Sequence, residues 1–340
     1  MKTVYFLGAG ASAGSDFKLP VMQGFFNDEE FRSDQYPALW SYINRTFKEM
    51  PLEKVNLEEV ITQLELSLEG FGALWERPNP ELIQAREEFD EYLRMRLQHS
   101  SSENPLACEC HDRIFRKIES DADSIITLNY DLISDFTLYH ICKKENNGEV
   151  EPDTILHRSN SMLGRNVPFA GERPTLYHKD KDKGFYLKLH GSIDWVYCPT
   201  QTCGHHQLFF ANLMGVRVLD INSGEPCNLC GAGLVSVVIP PAIGKSFEKF
   251  PKMGVIWNLA YRELKEADRW VLIGMSLPES DYYLRWLFRE AAIHRKRSPS
   301  LIIVNRKAED IERVKRVLSI EHAETYSTIK EYAGHVASSV

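Results

Sequence analysis

No apolar run in this chain approaches the roughly 18 residues that a membrane span requires, so no segment is expected to cross a bilayer. Internal repeats and low-complexity tracts are also missing, which sets aside repeat arrays. There is no basic excess: 48 acidic side chains stand against 40 basic ones, for a net charge of -8. That balance argues against bulk nucleic-acid binding and leaves room only for a local basic patch. Cysteine is sparse and odd in number, with seven in all. An odd count containing two close pairs does not suit a disulfide framework and points to a reducing compartment, the cytoplasm, with a metal site. What is present is ordinary for a globular protein: 340 residues, 43% hydrophobic and 26% charged, enough to bury a large core in one large domain or two smaller ones.

The first residues, MKTVYFLGAGASAGSDFKLPVM, admit three readings. A basic start, an apolar run and the triplet Ala11-Ser12-Ala13 have the layout of a secretory signal. Gly8 and Gly10 interrupt the apolar run, however, and export would expose an odd thiol. The second reading is a dehydrogenase-type dinucleotide turn, since Gly8-x-Gly10-x-x-Ala13 satisfies the loose pattern. That turn also needs an acid about 20 residues on, at the end of a second strand. Here Asp28, Glu29 and Glu30 follow a helical or loop segment instead. The third reading, a glycine loop serving different NAD chemistry, keeps the strand, the close backbone approach and the helix N-terminus for a pyrophosphate.

Short apolar β-branched and aromatic blocks predict strands at Thr3 to Leu7, Ser124 to Leu128, Tyr186 to Leu189, Val235 to Ile239, Trp270 to Ile273 and Leu301 to Val304. They are nearly all apolar rather than alternating, as in central parallel strands covered on both faces. Helical spacing predicts helices over Pro80 to Gln98, Lys252 to Asp268 and Lys307 to Leu318. The alternation implies an open α/β sheet. Residues 21–118 lack a good strand and read as a helical insertion, and residues 197–234 read as a small inserted module, both inside one domain of 1–340. Lys179 to Gly184 reads as a solvated loop, and Arg295-Lys296-Arg297 as a basic helix C-terminus with a phosphate contact as the lesser reading.

Two strand ends carry polar clusters. SIITLNYD closes a strand with Asn129 and Asp131, and YLKLHGSIDW closes another with His190-Gly191-Ser192. Each has a plain structural reading, as a helix cap, a first-turn acid or a structural histidine. Ligands of open parallel sheets bind beyond the carboxyl ends of strands, so together with the glycine loop these clusters define one crevice.

GAGAS, TLNYD and KLHGS, in that order at strand ends, resemble the sirtuin superfamily, and LIGMSLPESD and IIVNR resemble its later loops. More narrowly, NLEEVITQLE around Asn56 and Glu58, IPPAIGK, and GMSLPESD are similar to a bacterial sirtuin-like branch associated with NAD hydrolysis in antiphage defence. The resemblance implies a Rossmann-like open parallel sheet with a helical insertion and a small zinc-binding module. It implies that Gly8, Ala9, Gly10 and Ser12 hold the phosphates, with Gly274 and Ser276 reaching the phosphates or adjoining ribose and Asn305 near the adenosine. Asn129 would bind the ribose and orient a water, His190 would be the general base, and Asp131 would hold the nicotinamide end. Protein deacylases of the superfamily carry Gly-Ile-Pro-Asp-Phe-Arg after the glycine loop. Here AGSDFKLPVM places Asp16-Phe17-Lys18 too early and without the arginine, while Leu19-Pro20 suits the defence-associated branch. NAD and water are therefore the expected pair. A deacylase, an ADP-ribosyltransferase or a non-catalytic NAD or ADP-ribose sensor are the alternatives. A partner protein or homo-oligomer that restrains activity is expected, because unregulated NAD loss kills a cell.

Cys198 and Cys203 form one close pair, Cys227 and Cys230 another, across a connecting loop of 23 residues. This spacing suits two thiolate knuckles around one structural zinc ion, with His205 or His206 as possible replacements for a thiolate. The alternative is a pair of reduced hairpins that has lost its metal. Cys108-x-Cys110-His111 has no second pair nearby in sequence and is assigned no metal, only buried small side chains.

Overall fold

The computed structural model describes residues 1–22, 24–27, 29–70, 80–102, 108–118, 123–145, 184–203, 210–211, 226–227, 229–239, 251–279 and 281–338. Its frame is a six-stranded, wholly parallel sheet. In chain order the strands are β1 (Thr3–Leu7), β2 (Ser124–Thr127), β3 (Tyr186–Lys188), β7 (Arg269–Ile273), β8 (Ser300–Val304) and β9 (Glu324–Tyr326). Across the sheet they lie in the order β3-β2-β1-β7-β8-β9. This is the doubly wound dinucleotide arrangement, in which the chain reverses its direction of travel beside β1.

The all-apolar strands follow from that layout, because each central strand must satisfy two cores at once. Tyr5, Leu7, Ile125, Val271, Ile273, Ile302 and Val304 point into one core. Their neighbours Val4, Phe6, Ile126, Trp270, Leu272, Leu301 and Ile303 point into the other. The period of two in side-chain direction sorts one run of letters onto two faces.

Between β1 and β2 lie α1 (Ala9–Ala13), α2 (Pro37–Thr46), α3 (Leu57–Glu65), α4 (Pro80–Ser102) and α5 (Glu109–Phe115). Their aromatic centre stacks Phe26 on Tyr92 at 5.5 Å, and Tyr92 Oη donates to Phe25 O at 3.0 Å. Asn56 caps α3 by accepting from Glu58 N and Glu59 N. Helix α6 (Ile133–Glu145) follows β2. The remaining helices are α7 (Pro251–Glu266), α8 (Tyr282–Ile293), α9 (Ala308–Leu318) and α10 (Ile329–Ser338).

Three strands build a second, antiparallel sheet: β4 (Gly191–Tyr197), β5 (Phe210–Ala211) and β6 (Val235–Val238), in the order β5-β4-β6. This corrects the expectation that Val235 to Ile239 is a central parallel strand, since β6 pairs antiparallel with β4. An apolar run reports cover on both faces and is silent on the direction of the partner. β9 was not anticipated, because Glu324 and Thr325 are exposed and an edge strand needs no apolar block. Lys179 to Asp182, most of IPPAIGK, and His205 and His206 lie outside the described residues.

The register brings the strand ends level. Lys188 stands opposite Thr127, Thr127 opposite Leu7 (through the β1–β2 pairing), Leu7 opposite Ile273, and Ile273 opposite Val304. The residues just beyond them therefore form one row along the carboxyl edge. At the point of reversal the β1 and β7 loops touch through backbone. Gly8 N donates to Ile273 O at 2.9 Å and Gly10 N to Gly274 O at 3.0 Å. Gly274 has φ +66, and a Cβ there would lie 2.1 Å from Ala11 N. Gly274→Ala combines a left-handed backbone with a backbone clash, and is expected to cost at least about 2 kcal/mol. Urea denaturation checks this, and a variant as stable as wild type would refute the contact.

Candidate functional site

The site is built where β1, β2, β3 and β7 end. Leu7 leads into Gly8 and the short helix α1, and Asn129 follows β2. Leu128 N continues the ladder to Leu7 O at 3.0 Å, and Asn129 N donates to Thr127 Oγ1 at 3.0 Å. These two bonds set where the Asn129 side chain starts.

That side chain is oriented by acceptors. Its Nδ2 donates to Gly8 O at 3.1 Å and to Ser12 Oγ at 2.9 Å. A carbonyl can only accept, so the amide nitrogen must face Gly8 and both its hydrogens are committed. The amide oxygen, to which no described residue donates, is left as the open acceptor. Ser12 Oγ donates its own hydrogen bond to Asp131 Oδ2 at 2.7 Å, and Ile133 N donates to Asp131 Oδ1 at 3.0 Å. Burial pushes the Asp131 carboxyl above its ordinary value, against the lowering effects of the Ser12 bond, Lys188, the Ile133 N–H and His111. Lys188, fully buried at the end of β3, donates to Asp131 O at 2.7 Å and to Asp135 Oδ2 at 2.9 Å.

His190 sits at the corner where parallel β3 turns into antiparallel β4. Gly191 makes that corner at φ +82, and a Cβ there would lie 1.9 Å from Val237 O. Ile239 N donates to His190 O at 2.9 Å, which ties the corner to β6. The imidazole is buried and lies against Trp257 and Tyr130, with ring centroids 6.2 and 6.1 Å away. Trp257 is held by its Nε1 donating to Leu189 O at 2.9 Å, and Tyr130 by its hydroxyl donating to Ile239 O at 2.8 Å. His190 Nε2 is 3.9 Å from Asp281 Oδ2, with both side chains almost wholly buried. Asp281 also caps α8, accepting from Leu284 N.

The candidate residues other than His190 fall into two groups. Gly8, Ala9, Gly10, Ser12, Asn129, Asp131 and Gly274 are joined by direct bonds or by the shared β1–β7 junction. Ser276 lies further along the same β7 loop as Gly274, and Asn305 follows β8, one strand further out. Asn305 Nδ2 donates to Met275 O at 2.7 Å, and Ser276 O accepts from Arg313 at 3.3 Å. The residues not anticipated are Tyr130, Lys188, Trp257 and Asp281. A lysine inside an apolar strand, in YLKLHG, is the one signal that pointed to a buried ion pair.

The four cysteines of the module converge at the far end of β4. All four Sγ atoms lie within 4.8 Å of one another, with Cys198 to Cys230 at 3.4 Å and Cys203 to Cys227 at 3.8 Å. Zinc–sulfur bonds of about 2.3 Å separate tetrahedral thiolates by about 3.8 Å, so the donor set fits a closed zinc site. Gly231 N returns to Cys227 O at 2.8 Å and Cys227 N to Ala232 O at 2.7 Å, forming the knuckle turn. The Ala232 N–H, followed by Thr200 and Cys198, holds the Cys230 thiol down at about 6, ready to ligate.

No protein-family model matches the chain. No curated protein matches it in sequence. Solved structures of Sir2 homologues do align with 98% of it. One is a Sir2 homologue mutant in complex with 2'-O-acetyl ADP-ribose, at 15% identity and TM-score 0.48 over 90% of that chain. Another is Sir2Tm bound to a propionylated peptide, at 13% identity and TM-score 0.47 over 91% of that chain. A third, concerning the mechanism and regulation of Sir2 enzymes, aligns at 17% identity and TM-score 0.44 over 90% of that chain. Likeness at this level is one of outline; the strand order and the bonds described above carry the reading of the site.

Two outcomes follow. Asp131 has its folded pKa raised above 3.8, so its effect on stability is most favourable below that value and is lost as pH rises through the folded pKa. Wild type should therefore lose stability relative to Asp131→Asn as pH is raised from 4 to 7, measured by urea denaturation at a series of pH values. For the module, Cys227→Ser should lower bound zinc by about one equivalent per chain on elemental analysis. Undiminished zinc would remove the ion from these cysteines.

Proposed function

We propose that the chain is a sirtuin-like NAD glycohydrolase, releasing nicotinamide and ADP-ribose from NAD and water. The observation that carries this reading is Asn129: its amide is locked by Gly8 O and Ser12 Oγ, leaving one oriented acceptor beside the glycine junction. A side chain held so firmly can bind a ribose hydroxyl and align an attacking water, which supplies rate through position.

NAD brings the scissile nicotinamide–ribose bond, whose cleavage builds positive charge on the ribose. Around it this chain supplies distinct services. Gly8, Ala9 and Gly10, with the first N–H groups of α1, receive the pyrophosphate, and Gly274 lets the β7 loop approach. His190 takes a proton as general base, directly or through a ribose hydroxyl, and Asp281 at 3.9 Å stabilises the imidazolium that results. Asp131 acts on the nicotinamide end as the partner of Ser12 and the cap of Ile133 N, so its contribution is to hold Asn129 and the turn in place. Ser276, in the β7 loop, serves the phosphates or adjoining ribose, and Asn305 serves the adenosine side, its amide donating to Met275 O of that loop. The four cysteines would hold a structural zinc ion, their four thiolates filling its positions and leaving the chemistry to the crevice.

The unit is read as one catalytic domain, with residues 21–118 as a helical insertion and 197–234 as the zinc module. A reducing, cytoplasmic setting is the reading that the odd, unpaired cysteines support. The antiphage setting, with NAD depletion restrained by a partner or by self-assembly until triggered, rests on NLEEVITQLE and GMSLPESD and their resemblance to that branch. No described helix is long and apolar enough to cross a membrane.

Incubation of the purified full chain with NAD, with and without an acylated peptide, tests the reading through nicotinamide release. His190→Ala is expected to lower the rate by about 10²- to 10⁴-fold. Release only when peptide is present would replace hydrolysis by deacylation. NAD binding without release, unchanged by candidate triggers, would leave a sensor.

A further inference from the structure

A second thiol cluster lies away from the zinc knuckle, and the sequence alone gave no reason to credit it. Cys108 precedes α5, and Cys110 and His111 belong to its first turn. Cys108 Sγ is 3.1 Å from Cys110 Sγ and 3.1 Å from His111 Nδ1, and Cys110 Sγ is 3.8 Å from the same nitrogen. All three residues are buried. The missing partner comes from the turn after α1: Asp16 Oδ2 lies 3.6 Å from Cys108 Sγ.

We propose that Cys108, Cys110 and His111, with the Asp16 carboxylate beside Cys108, form a second metal site, binding a zinc-like divalent cation. Zinc bonds of about 2.3 Å to sulfur and about 2.0 Å to nitrogen or oxygen space tetrahedral donors about 3.5–3.8 Å apart. The Cys110–His111 and Cys108–Asp16 separations already meet that spacing. The 3.1 Å Cys108–Cys110 and Cys108–His111 contacts would open by about 0.7 and about 0.4 Å to admit the ion. Two thiols and an imidazole nitrogen crowded this closely share few protons among several lone pairs, and a cation relieves that crowding. Two sulfurs with a nitrogen and an oxygen favour zinc over calcium or magnesium.

The surroundings support a built site. Asp16 Oδ2 also accepts from Glu109 N at 3.1 Å, and Oδ1 pairs with Lys330 Nζ at 2.9 Å, so the carboxylate is oriented from both sides. Two thiolates and one carboxylate are balanced by a dication and the Lys330 ammonium. Three buried protein donors converge, and Asp16 is the nearest carboxylate to take the fourth position, a set that suits a structural ion. It joins α5 to the exit of α1, where Ser15 Oγ donates to Ser12 O at 2.6 Å, and so braces the segment that carries Ser12.

Metal content of the full chain, purified in the presence of a reductant and dialysed, tests the site. Wild type should carry about two zinc equivalents, and Cys110→Ser and Cys227→Ser about one each. His111→Gln, checked by circular dichroism, serves if Cys110→Ser does not fold. Titration of metal-stripped wild type with Co2+ adds a reading that needs no variant: the thiolate-to-cobalt absorption should saturate at about two equivalents. One equivalent in wild type, lost entirely in Cys227→Ser, overturns the proposal. So does a folded Cys110→Ser or His111→Gln that keeps both ions, or a metal-free Cys108–Cys110 disulfide in the reductant-treated protein.

Discussion

The rest of the site depends on one close approach, that of the β1 loop and the β7 loop where the sheet reverses its winding. Two backbone bonds, Gly8 N to Ile273 O and Gly10 N to Gly274 O, bring two turns closer than side chains would permit. That contact fixes the direction of α1, and α1 presents Ser12 to Asn129 and Asp131. Any Cβ that forced the loops apart would move Ser12 with them. Asn129 would then lose the acceptor that commits one of its hydrogens, and the second acceptor, Gly8 O, lies on the same moving segment.

Asp131 shows how the chain pays for this order. Each hydrogen bond to a carboxylate is worth about 1.5–3 kcal/mol, and Asp131 receives two, from Ser12 and Ile133. Removing a charge from water costs several kcal/mol after relaxation. The raised pKa shows that burial prevails over those bonds and over the nearby Lys188 charge. Ionising Asp131 is therefore less favourable in the folded chain than in the unfolded one, and what the residue does in the fold is fix Ser12. Residues kept against the interest of stability are the ones whose position matters to chemistry.

The legible part of the molecule was the part written in apolar blocks. β1, β2, β7 and β8 could be found because a strand facing two cores has few polar positions, and their ends located Gly8, Asn129, Gly274 and Asn305. β6 was found but placed in the wrong sheet, since its letters do not encode partner direction. β9 escaped because its exposed Glu324 and Thr325 carry no such signal. Asp281 escaped because GMSLPESD reads as a loop, and only the packing of α8 against the sheet brings it towards His190, far away in sequence.

The two cysteine clusters show the same limit from the opposite side. The knuckle pairs are readable because each hairpin supplies two thiolates at short spacing, so that local sequence alone determines half the donor set. At Cys108 and Cys110 the spacing is just as short, but the donor that would complete the set is Asp16, separated from them by the whole helical insertion. Inserting helices between β1 and β2 does not separate the insertion's end from its beginning, because both must return to the same edge of a parallel sheet. α5 leads into β2, and α1 leaves β1, its direct neighbour. The topology therefore brings Asp16 back to Cys108 whatever the length of the insertion, which is why a cluster invisible along the chain can still be a built feature of the fold.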